Sequence, residues 1–293
     1  MKRDMKDVKE QSETVAIVAG AVKGIGLEIA LALARRGVRC VLTYYDWLDS
    51  LQEMHDRMRK TGTEYVAVNA DLTRSGDVRK VADAAEGLGG PDILVNNIER
   101  GGWPVVHGPY TEEQWLLEFQ TTVTAKWNLF TECMGRMKAK GRGTVINISS
   151  ISAITGRSGP AACVFNDCYS LASRAVGSLT EQWAREAAPE VRVNELMLGF
   201  FETRHGPGTR GWGIMTDEQK QAIKAHTLLE RTGRLDDITA AVMFMAFDAP
   251  FMTGATIRLD GGFVLGGEDV PAMPKGVVKP GESTFGGERE KTG

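Results

Sequence analysis

The chain has 293 residues, of which 42% are hydrophobic and 25% charged, the balance of an ordinary globular protein with a sizeable core. Its formal net charge of -3 gives no reason to expect nucleic acid or an anionic membrane as a partner. No stretch is apolar enough to span a membrane, and residues 1–13 lack the apolar core of a secretory signal, so we expect a cytoplasmic protein.

Predicted strands and helices alternate along the chain. Short apolar runs predict strands at residues 14–19, 38–43, 65–69, 92–96, 143–149, 191–196 and 255–259. Apolar residues at helical spacing predict helices at residues 25–36, 47–60, 75–88, 111–140, 168–188 and 236–248. This alternation is typical of a parallel sheet covered on both faces. We therefore predict an α/β fold, a single domain with a Rossmann-type doubly wound sheet of about seven mostly parallel strands and helices on both faces.

The predicted domain covers residues 14–267. It is preceded by a polar arm at residues 1–13. Residues 268–293 combine Pro, Gly and charges without a pattern, which predicts a tail that is flexible or contacts a partner subunit. Within the domain, the Gly-rich residues 204–220 predict a mobile loop with a short helix.

Three glycines, Gly20, Gly24 and Gly26, lie between the first predicted strand and the first predicted helix. In this setting glycines allow a tight turn, let backbone N–H groups approach a pyrophosphate, and permit close packing of helix on strand. The helix N-terminus adds about half a positive charge. The turn therefore predicts a dinucleotide site.

Further motifs follow in a fixed order after this turn. They are Asp71-Leu72, Asn96-Asn97, Ser149-Ser150, Arg192-Val193-Asn194 with Gly199 and Thr203, Thr253-Gly254, and Leu259-Asp260-Gly261-Gly262. Together with the glycine spacing, they resemble the short-chain dehydrogenase/reductase family, and in particular its 3-oxoacyl-carrier-protein reductase-like members. The resemblance implies an NAD(P)-dependent oxidoreductase. Its reaction would be hydride transfer between a nicotinamide cofactor and a carbonyl or secondary alcohol of a small molecule or acyl thioester.

The resemblance also implies a set of cofactor-binding residues. They are Gly20, Lys23, Gly24, Ile25, Gly26, Tyr44, Asp71, Leu72, Asn97, Tyr169, Gly199 and Thr203. Members that prefer NAD usually carry an acidic residue at the position of Tyr44, whereas here Lys23 stands inside the glycine turn. NADP is therefore weakly preferred, and NAD stays open because Asp46 is within reach of the ribose.

The same resemblance implies that Tyr169 is the general acid/base and that Ser150 orients the substrate, with Ser149 a poorer candidate for the serine. Two positions of the family pattern are not matched. Ser173 stands where the family has a lysine, four residues after the tyrosine, and Thr122 stands where it has an asparagine. The catalytic half therefore matches less well than the cofactor half.

Three residues could take over the role of the missing lysine: Ser173, which occupies its position, and the two cations Arg174 and Lys126. Arg174 is five residues after Tyr169, about 140° from it on a regular helix, and would serve only if the helix carried an extra-residue bulge. Lys126 follows Thr122 by one turn, and it either points into the pocket or is a solvated helix lysine. Ser150 and Tyr169 are also further apart than in the family, which predicts a longer loop at residues 156–167.

The unmatched positions motivate a second hypothesis, a catalytically weak or inactive dinucleotide-binding sensor or scaffold subunit. Reduction of a C=C or C=N bond also stays open. The cysteines lack metal-site spacing, so we expect no metal; Cys40 and Cys133 are predicted to be buried thiols, and a redox role for Cys163 and Cys168 is disfavoured. The resemblance implies a homodimer or homotetramer packed through the predicted helices at residues 111–140 and 168–188.

Overall fold

The computed structural model describes residues 13–99, 110–203, 212–268 and 270–272. Within them, seven strands form one sheet in the order β3-β2-β1-β4-β5-β6-β7, and all neighbouring strands are parallel. The strands are β1 (Val15–Val18), β2 (Arg39–Tyr44), β3 (Tyr65–Asn69), β4 (Ile93–Asn96), β5 (Gly143–Ser150), β6 (Val191–Leu198) and β7 (Thr256–Leu259). The predicted single-domain, doubly wound α/β fold is confirmed.

Helices connect the strands. They are α1 (Gly24–Arg35), α2 (Leu51–Arg59), α3 (Ser75–Gly87), α4 (Glu112–Phe119), α5 (Ala125–Ala139), α6 (Ser152–Thr155), α7 (Asp167–Ala187), α8 (Asp217–His226) and α9 (Leu235–Met243). In the described part of the chain, none of them is long and apolar enough to cross a bilayer.

The sheet separates two apolar clusters, and β1 shows how the sequence divides between them. Val15 and Ile17 pack in the cluster formed with α3, α5 and α7, whereas Ala16 and Val18 pack in the cluster formed with α1 and α9. All four side chains are fully buried, because a strand in the middle of a doubly covered sheet has no solvent face.

The strand order reverses at β1, which lies between β2 and β4. The connections that follow β1 and β4 therefore leave the sheet towards opposite faces, and a crevice opens between them at the carboxyl edge. Gly20 follows β1 and Asn97 follows β4, so the topology places the glycine turn at this crevice.

The structure corrects several predicted helices. The helix predicted at residues 111–140 is divided by a π-helical turn (Gln120–Thr124) between α4 and α5. The Thr121 hydroxyl donates to the carbonyl of Leu117 at 2.8 Å, which competes with the regular helical bond. The helix predicted from Trp47 begins later, because Trp47 is left-handed with φ of 61° and precedes a short 3₁₀ turn.

The last predicted helix is also shorter than expected, since α9 ends at Met243 in a second π-helical turn (Phe244–Asp248). In contrast, α7 is regular, and Asn166 caps it by accepting a hydrogen bond from the backbone N–H of Tyr169 at 2.8 Å. The predicted long loop at residues 156–167 contains a 3₁₀ turn (Gly159–Cys163). Nearly all of the predicted arm, most of the tail and residues 204–211 lie outside the described residues.

Candidate active site

A cleft of about 890 Å³ lies at the carboxyl edge of the sheet, which is within the size range of ligand pockets. It brings together all the predicted site residues except Gly26. They are Gly20, Lys23, Gly24, Ile25, Tyr44, Asp71, Leu72, Asn97, Ser150, Tyr169, Gly199 and Thr203. Sequence motifs that are far apart in the chain therefore meet in one place.

Gly26 lies behind the cleft wall and fixes the glycine turn. A β-carbon at Gly26 would lie 2.2 Å from the carbonyl oxygen of Gly20, closer than any side chain tolerates. Gly20 itself has φ of +65°, and its N–H donates to the Thr43 hydroxyl at 3.0 Å. The turn is thus held from two sides, and only glycine fits at its closest approach.

The turn suits a phosphate group. The residue before α1, Lys23, makes no side-chain cap, so the first-turn N–H groups of α1 lack side-chain partners from that residue. A β-carbon at Gly24 would meet no atom within 4 Å, which leaves room beside these groups. Free N–H groups at a helix N-terminus form an anion site, so the residues present fit a dinucleotide pyrophosphate.

At the far end of the cleft, the ammonium group of Lys23 lies 3.0 Å above the centre of the Trp47 ring. Asp71, after β3, accepts a hydrogen bond from the Thr73 hydroxyl at 2.6 Å, and Arg74 lies 3.3 Å from its second carboxylate oxygen. Trp47 and Arg74 line the cleft but belong to no motif, so sequence reasoning missed them.

At the opposite end, Tyr169 lines the cleft together with Ser150 and Glu99. Burial, followed by the charge of Glu99, raises the pKa of Tyr169 well above its usual value, and hydrogen bonding by Ser150 opposes this rise. The Ser150 oxygen accepts a hydrogen bond from the backbone N–H of Ser152 at 3.2 Å. The predicted acid/base and serine therefore meet.

Ser149 points to different partners. Its hydroxyl donates to the carboxylate of Glu195, which is buried and also accepts a bond from the Thr256 hydroxyl at 2.5 Å. This engagement favours Ser150 over Ser149 as the serine of the site.

Lys126 is the deepest cation of the site. Only 1% of its surface is exposed, and its ammonium group donates to the carbonyl oxygen of Ile98. Burial lowers the pKa of Lys126 to about 8, while the charges of Glu99 and Glu118 oppose that fall. The interpretation as a solvated helix lysine is therefore wrong, and the alternative that it points into the pocket is confirmed.

Glu118 is also buried, and its negative charge is one of the two that oppose the fall in the pKa of Lys126. Its carboxylate accepts a hydrogen bond from the Thr122 hydroxyl at 2.6 Å and one from the Tyr110 hydroxyl at 3.2 Å. The site thus holds two carboxylates, from Glu99 and Glu118, together with the ammonium group of Lys126.

Comparison with known proteins now identifies the family. Residues 20–264 match the family described as enoyl-(acyl carrier protein) reductase. An uncharacterised oxidoreductase of Methylorubrum extorquens is 33% identical over 251 residues, 85% of this chain and 96% of its own length. The 3-oxoacyl-[acyl-carrier-protein] reductase of Vibrio cholerae is 32% identical over 256 residues, 86% of this chain and 97% of its own. This chain belongs to the short-chain dehydrogenase/reductase family.

The family assignment makes the chain an NAD(P)-dependent oxidoreductase, as the motifs predicted. A solved member of the same fold is the NADPH-dependent 3-quinuclidinone reductase from Rhodotorula rubra. It superposes with a TM-score of 0.76 at 24% identity, over 90% of this chain and 96% of that chain, and at this identity it supports the fold alone.

Two residues stand where this short-chain dehydrogenase/reductase departs from the family's helix. Ser173 is buried, accepts a hydrogen bond from the Ser152 hydroxyl at 3.1 Å, and lines the cleft. Arg174 is exposed and outside the cleft lining, because α7 has no bulge to turn it inwards. The hypothesis that Arg174 replaces the lysine is wrong.

Sequence reasoning gave no role to Glu99 or Glu118, although each left a signal. Glu99 follows Asn97 and Ile98, where the resemblance leads one to expect small residues. Glu118 stands one turn before Thr122, so the two share a helix face. A carboxylate on an otherwise buried face marks either a site or a buried network.

The cysteines have high pKa values. Cys40 and Cys133 are buried free thiols, as predicted, and burial raises the pKa of each to about 12. Burial likewise raises the pKa of Cys168 to about 12, and it also raises the pKa of Cys163. Thiols with raised pKa values are poor nucleophiles at neutral pH, which agrees with the disfavoured redox role.

Proposed function

We propose that this enzyme transfers hydride between a nicotinamide cofactor and the carbonyl or secondary alcohol of a small molecule or acyl thioester. Tyr169 is the general acid/base, and Ser150 orients the carbonyl oxygen. The observation that carries this proposal is that Tyr169 and Ser150 line the same cleft as the glycine turn.

The cofactor-binding residues of this proposal are those that the family resemblance implies, and all of them except Gly26 line the cleft. The glycine turn and the N-terminus of α1 would hold the pyrophosphate, Tyr44 with Asp71 and Leu72 the adenosine end, and Asn97 with Gly199 and Thr203 the nicotinamide end. When bound in reduced form, the cofactor supplies the hydride.

Proton transfer is the part performed by side chains. Because the Ser150 oxygen accepts the N–H of Ser152, its hydroxyl hydrogen can donate to the substrate oxygen. As the carbonyl oxygen becomes an alkoxide, the O–H bond of Tyr169 breaks and the O–H bond of the alcohol forms. An alkoxide is a stronger base than a phenolate, so Tyr169 can give up its proton despite its raised pKa. Alcohol oxidation runs the same transfer in reverse.

NADP is the cofactor this proposal prefers, with NAD as the alternative. A tyrosine, Tyr44, stands where an acidic residue would repel a 2′-phosphate, and two cationic side chains, Lys23 and Arg74, line the same end of the cleft. Asp46 lines it as well, which keeps the preference weak. Tighter binding of NADH than of NADPH in a fluorescence titration would reverse this assignment.

The decisive experiment combines binding and turnover. Purified protein is titrated with NADPH and NADH, then assayed with ketones, 3-oxoacyl thioesters, secondary alcohols and an enoyl thioester. We expect Tyr169→Phe to lower kcat for carbonyl reduction by about 10²-fold or more while cofactor binding is kept. Loss of less than tenfold would remove Tyr169 from the acid/base position.

The same panel separates the competing functions. Tight cofactor binding without turnover of any substrate would refute the oxidoreductase reaction and support a sensor or scaffold. Turnover of the enoyl thioester alone would move the chemistry to C=C reduction. A homodimer or homotetramer and a cytoplasmic location also stay predictions.

A further inference from the structure

The cleft holds a cation–carboxylate pair from elements other than α7. Glu99 follows β4 and lines the cleft with Tyr169, while Lys126, which lines it as well, stands in the first turn of α5. We propose that Lys126 is the active-site cation of this enzyme and that it acts on Tyr169 through Glu99, which shares a proton with the tyrosine hydroxyl. The inference rests on the proposed function, because that proton is the one Tyr169 exchanges with substrate.

Lys126 is tied to the segment that carries Glu99. Its ammonium group donates to the carbonyl of Ile98, the residue directly before Glu99. A buried ammonium group is costly unless it is paired and hydrogen-bonded. The charges that oppose the desolvation of Lys126 are those of Glu99 and Glu118, so both carboxylates lie within electrostatic reach of it.

Tyr169 needs such a cation in this chain. The negative charges of Glu99 and Glu118 both disfavour the phenolate and so raise the pKa of Tyr169. Proton release from Tyr169 would place a third negative charge among them. The positive charge of the buried Lys126 offsets that repulsion.

No other described cation stands at this end of the cleft. The lysines and arginines that line it are Lys23, Arg74 and Lys126, among the residues that the structure describes. Lys23 lies over Trp47 and Arg74 next to Asp71, both at the adenosine end.

The arrangement gives a balanced proton path. After Tyr169 protonates the substrate oxygen, the carboxylate of Glu99 accepts a proton from the ammonium group of Lys126, whose N–H bond breaks. Glu99 passes this proton to the phenolate, so the O–H bond of Tyr169 re-forms and Glu99 returns to its carboxylate form. Water then reprotonates Lys126, so one solvent proton is consumed for each carbonyl reduced. The pKa of Lys126, about 8, lies below that of Tyr169, so proton flow towards the phenolate is downhill.

The first test needs neither cofactor nor substrate. In protein labelled with ¹³C-lysine, the Lys126 signal is identified by its loss in Lys126→Met, and its chemical shift is followed against pH. We expect a midpoint near pH 8 that falls by about one pH unit in Glu99→Gln, because one opposing carboxylate is removed. Glu181→Gln, exposed on α7, is the control and should leave the midpoint unchanged. An unchanged midpoint in Glu99→Gln would overturn the pairing even if the enzyme proved inactive.

The second test is the pH profile of kcat for carbonyl reduction. Wild-type activity should fall as pH rises through about 8, where Lys126 loses its charge. Lys126→Met should lower kcat by about 10²-fold and abolish this fall in activity at alkaline pH. Lys126→Arg should keep part of the activity and move the fall to higher pH. Lys138→Met, on the same helix but bonded to Glu186, is the matched control.

Wild-type kcat and pH dependence in a folded Lys126→Met would refute the proposal. If that variant does not fold, as judged by circular dichroism, Lys126→Arg and Glu99→Gln test the proposal instead. A fall in kcat at the same pH as in wild type in both variants would refute it equally. Failure of every substrate in wild type would refute the proposed function while leaving the NMR result to decide the pairing.

Discussion

At the residue scale, burial of Lys126 in the site destabilises the folded protein. The pKa of Lys126 falls from 10.5 to about 8. Such a shift corresponds to ~3 kcal/mol of differential stability at about 1.4 kcal/mol per pKa unit. A group with this cost persists where chemistry requires it, since functional sites trade stability for activity.

We therefore expect Lys126→Met to be more stable than wild type at pH 7, by up to ~3 kcal/mol less the lost bond to Ile98. The folded pKa lies below the unfolded one, so the unfolded state binds more protons between pH 8 and 10.5. The penalty is fully present below pH 8 and fades as pH rises. Urea unfolding at pH 7 and pH 10, wild type against variant, measures this difference.

Lys138→Met provides the control for that experiment, because its ammonium group is near the surface. Its difference from wild type should be small and should not change with pH. A Lys126→Met variant that is folded but less stable than wild type at pH 7 would show that the bond to Ile98 outweighs desolvation.

At the scale of elements, the glycine turn depends on close contact between β1, β4 and α1. A methyl group at position 26 would overlap the Gly20 carbonyl and lie 2.8 Å from the side-chain nitrogen of Asn97. We expect Gly26→Ala to weaken dinucleotide binding at least tenfold and to lower the unfolding free energy by ~1–3 kcal/mol, typical of overpacking. Titration with NADPH and urea unfolding check both effects.

Gly135→Ala is the matched control, since nothing lies within 4 Å of a β-carbon built there and position 135 is inside α5. Alanine is a better helix former than glycine, so this variant should gain ~0.5–1 kcal/mol and bind cofactor normally. Equal affinity in Gly26→Ala and wild type would mean that the turn relaxes without cost.

The turn also shows why the cofactor half of the site could be predicted from sequence. Its residues are consecutive, and their meaning depends only on the strand before and the helix after them. The pattern of apolar residues likewise predicted the positions of the strands. The 3.6-residue repeat of a regular helix correctly predicted that Arg174 points away from Tyr169. Features that depend only on residues adjacent in the chain can therefore be predicted without a structure.

The position of Lys126, the cation of the site, depends instead on residues that are distant in the chain. Lys126 meets a carbonyl 28 residues earlier in the chain. Its position also follows the π-helical turn between α4 and α5, which inserts an extra residue into the turn and so shifts the register of the residues after it. Apolar spacing does not reveal such a turn, so sequence left Lys126 undecided between pocket and solvent.

At the scale of the whole molecule, the helices on one side of the sheet carry unpartnered apolar surface. Trp115 and Leu116 on α4, Trp127 on α5 and Leu171 on α7 are each 38–52% exposed. Large apolar side chains that cluster on neighbouring helices are typical of subunit interfaces. Members of this family commonly assemble through such helices, so the exposed surface supports the proposed homodimer or homotetramer.

Light scattering coupled to size-exclusion chromatography tests this assembly. We expect a mass of two or four chains for wild type and a smaller species for Trp127→Glu combined with Leu171→Glu, because a carboxylate buried in an apolar interface lacks a partner. Leu48→Glu is the control, since Leu48 is equally apolar and exposed but outside these helices. A monomeric wild type would exclude the proposed oligomer. A double variant that keeps the wild-type mass would move the interface to another face.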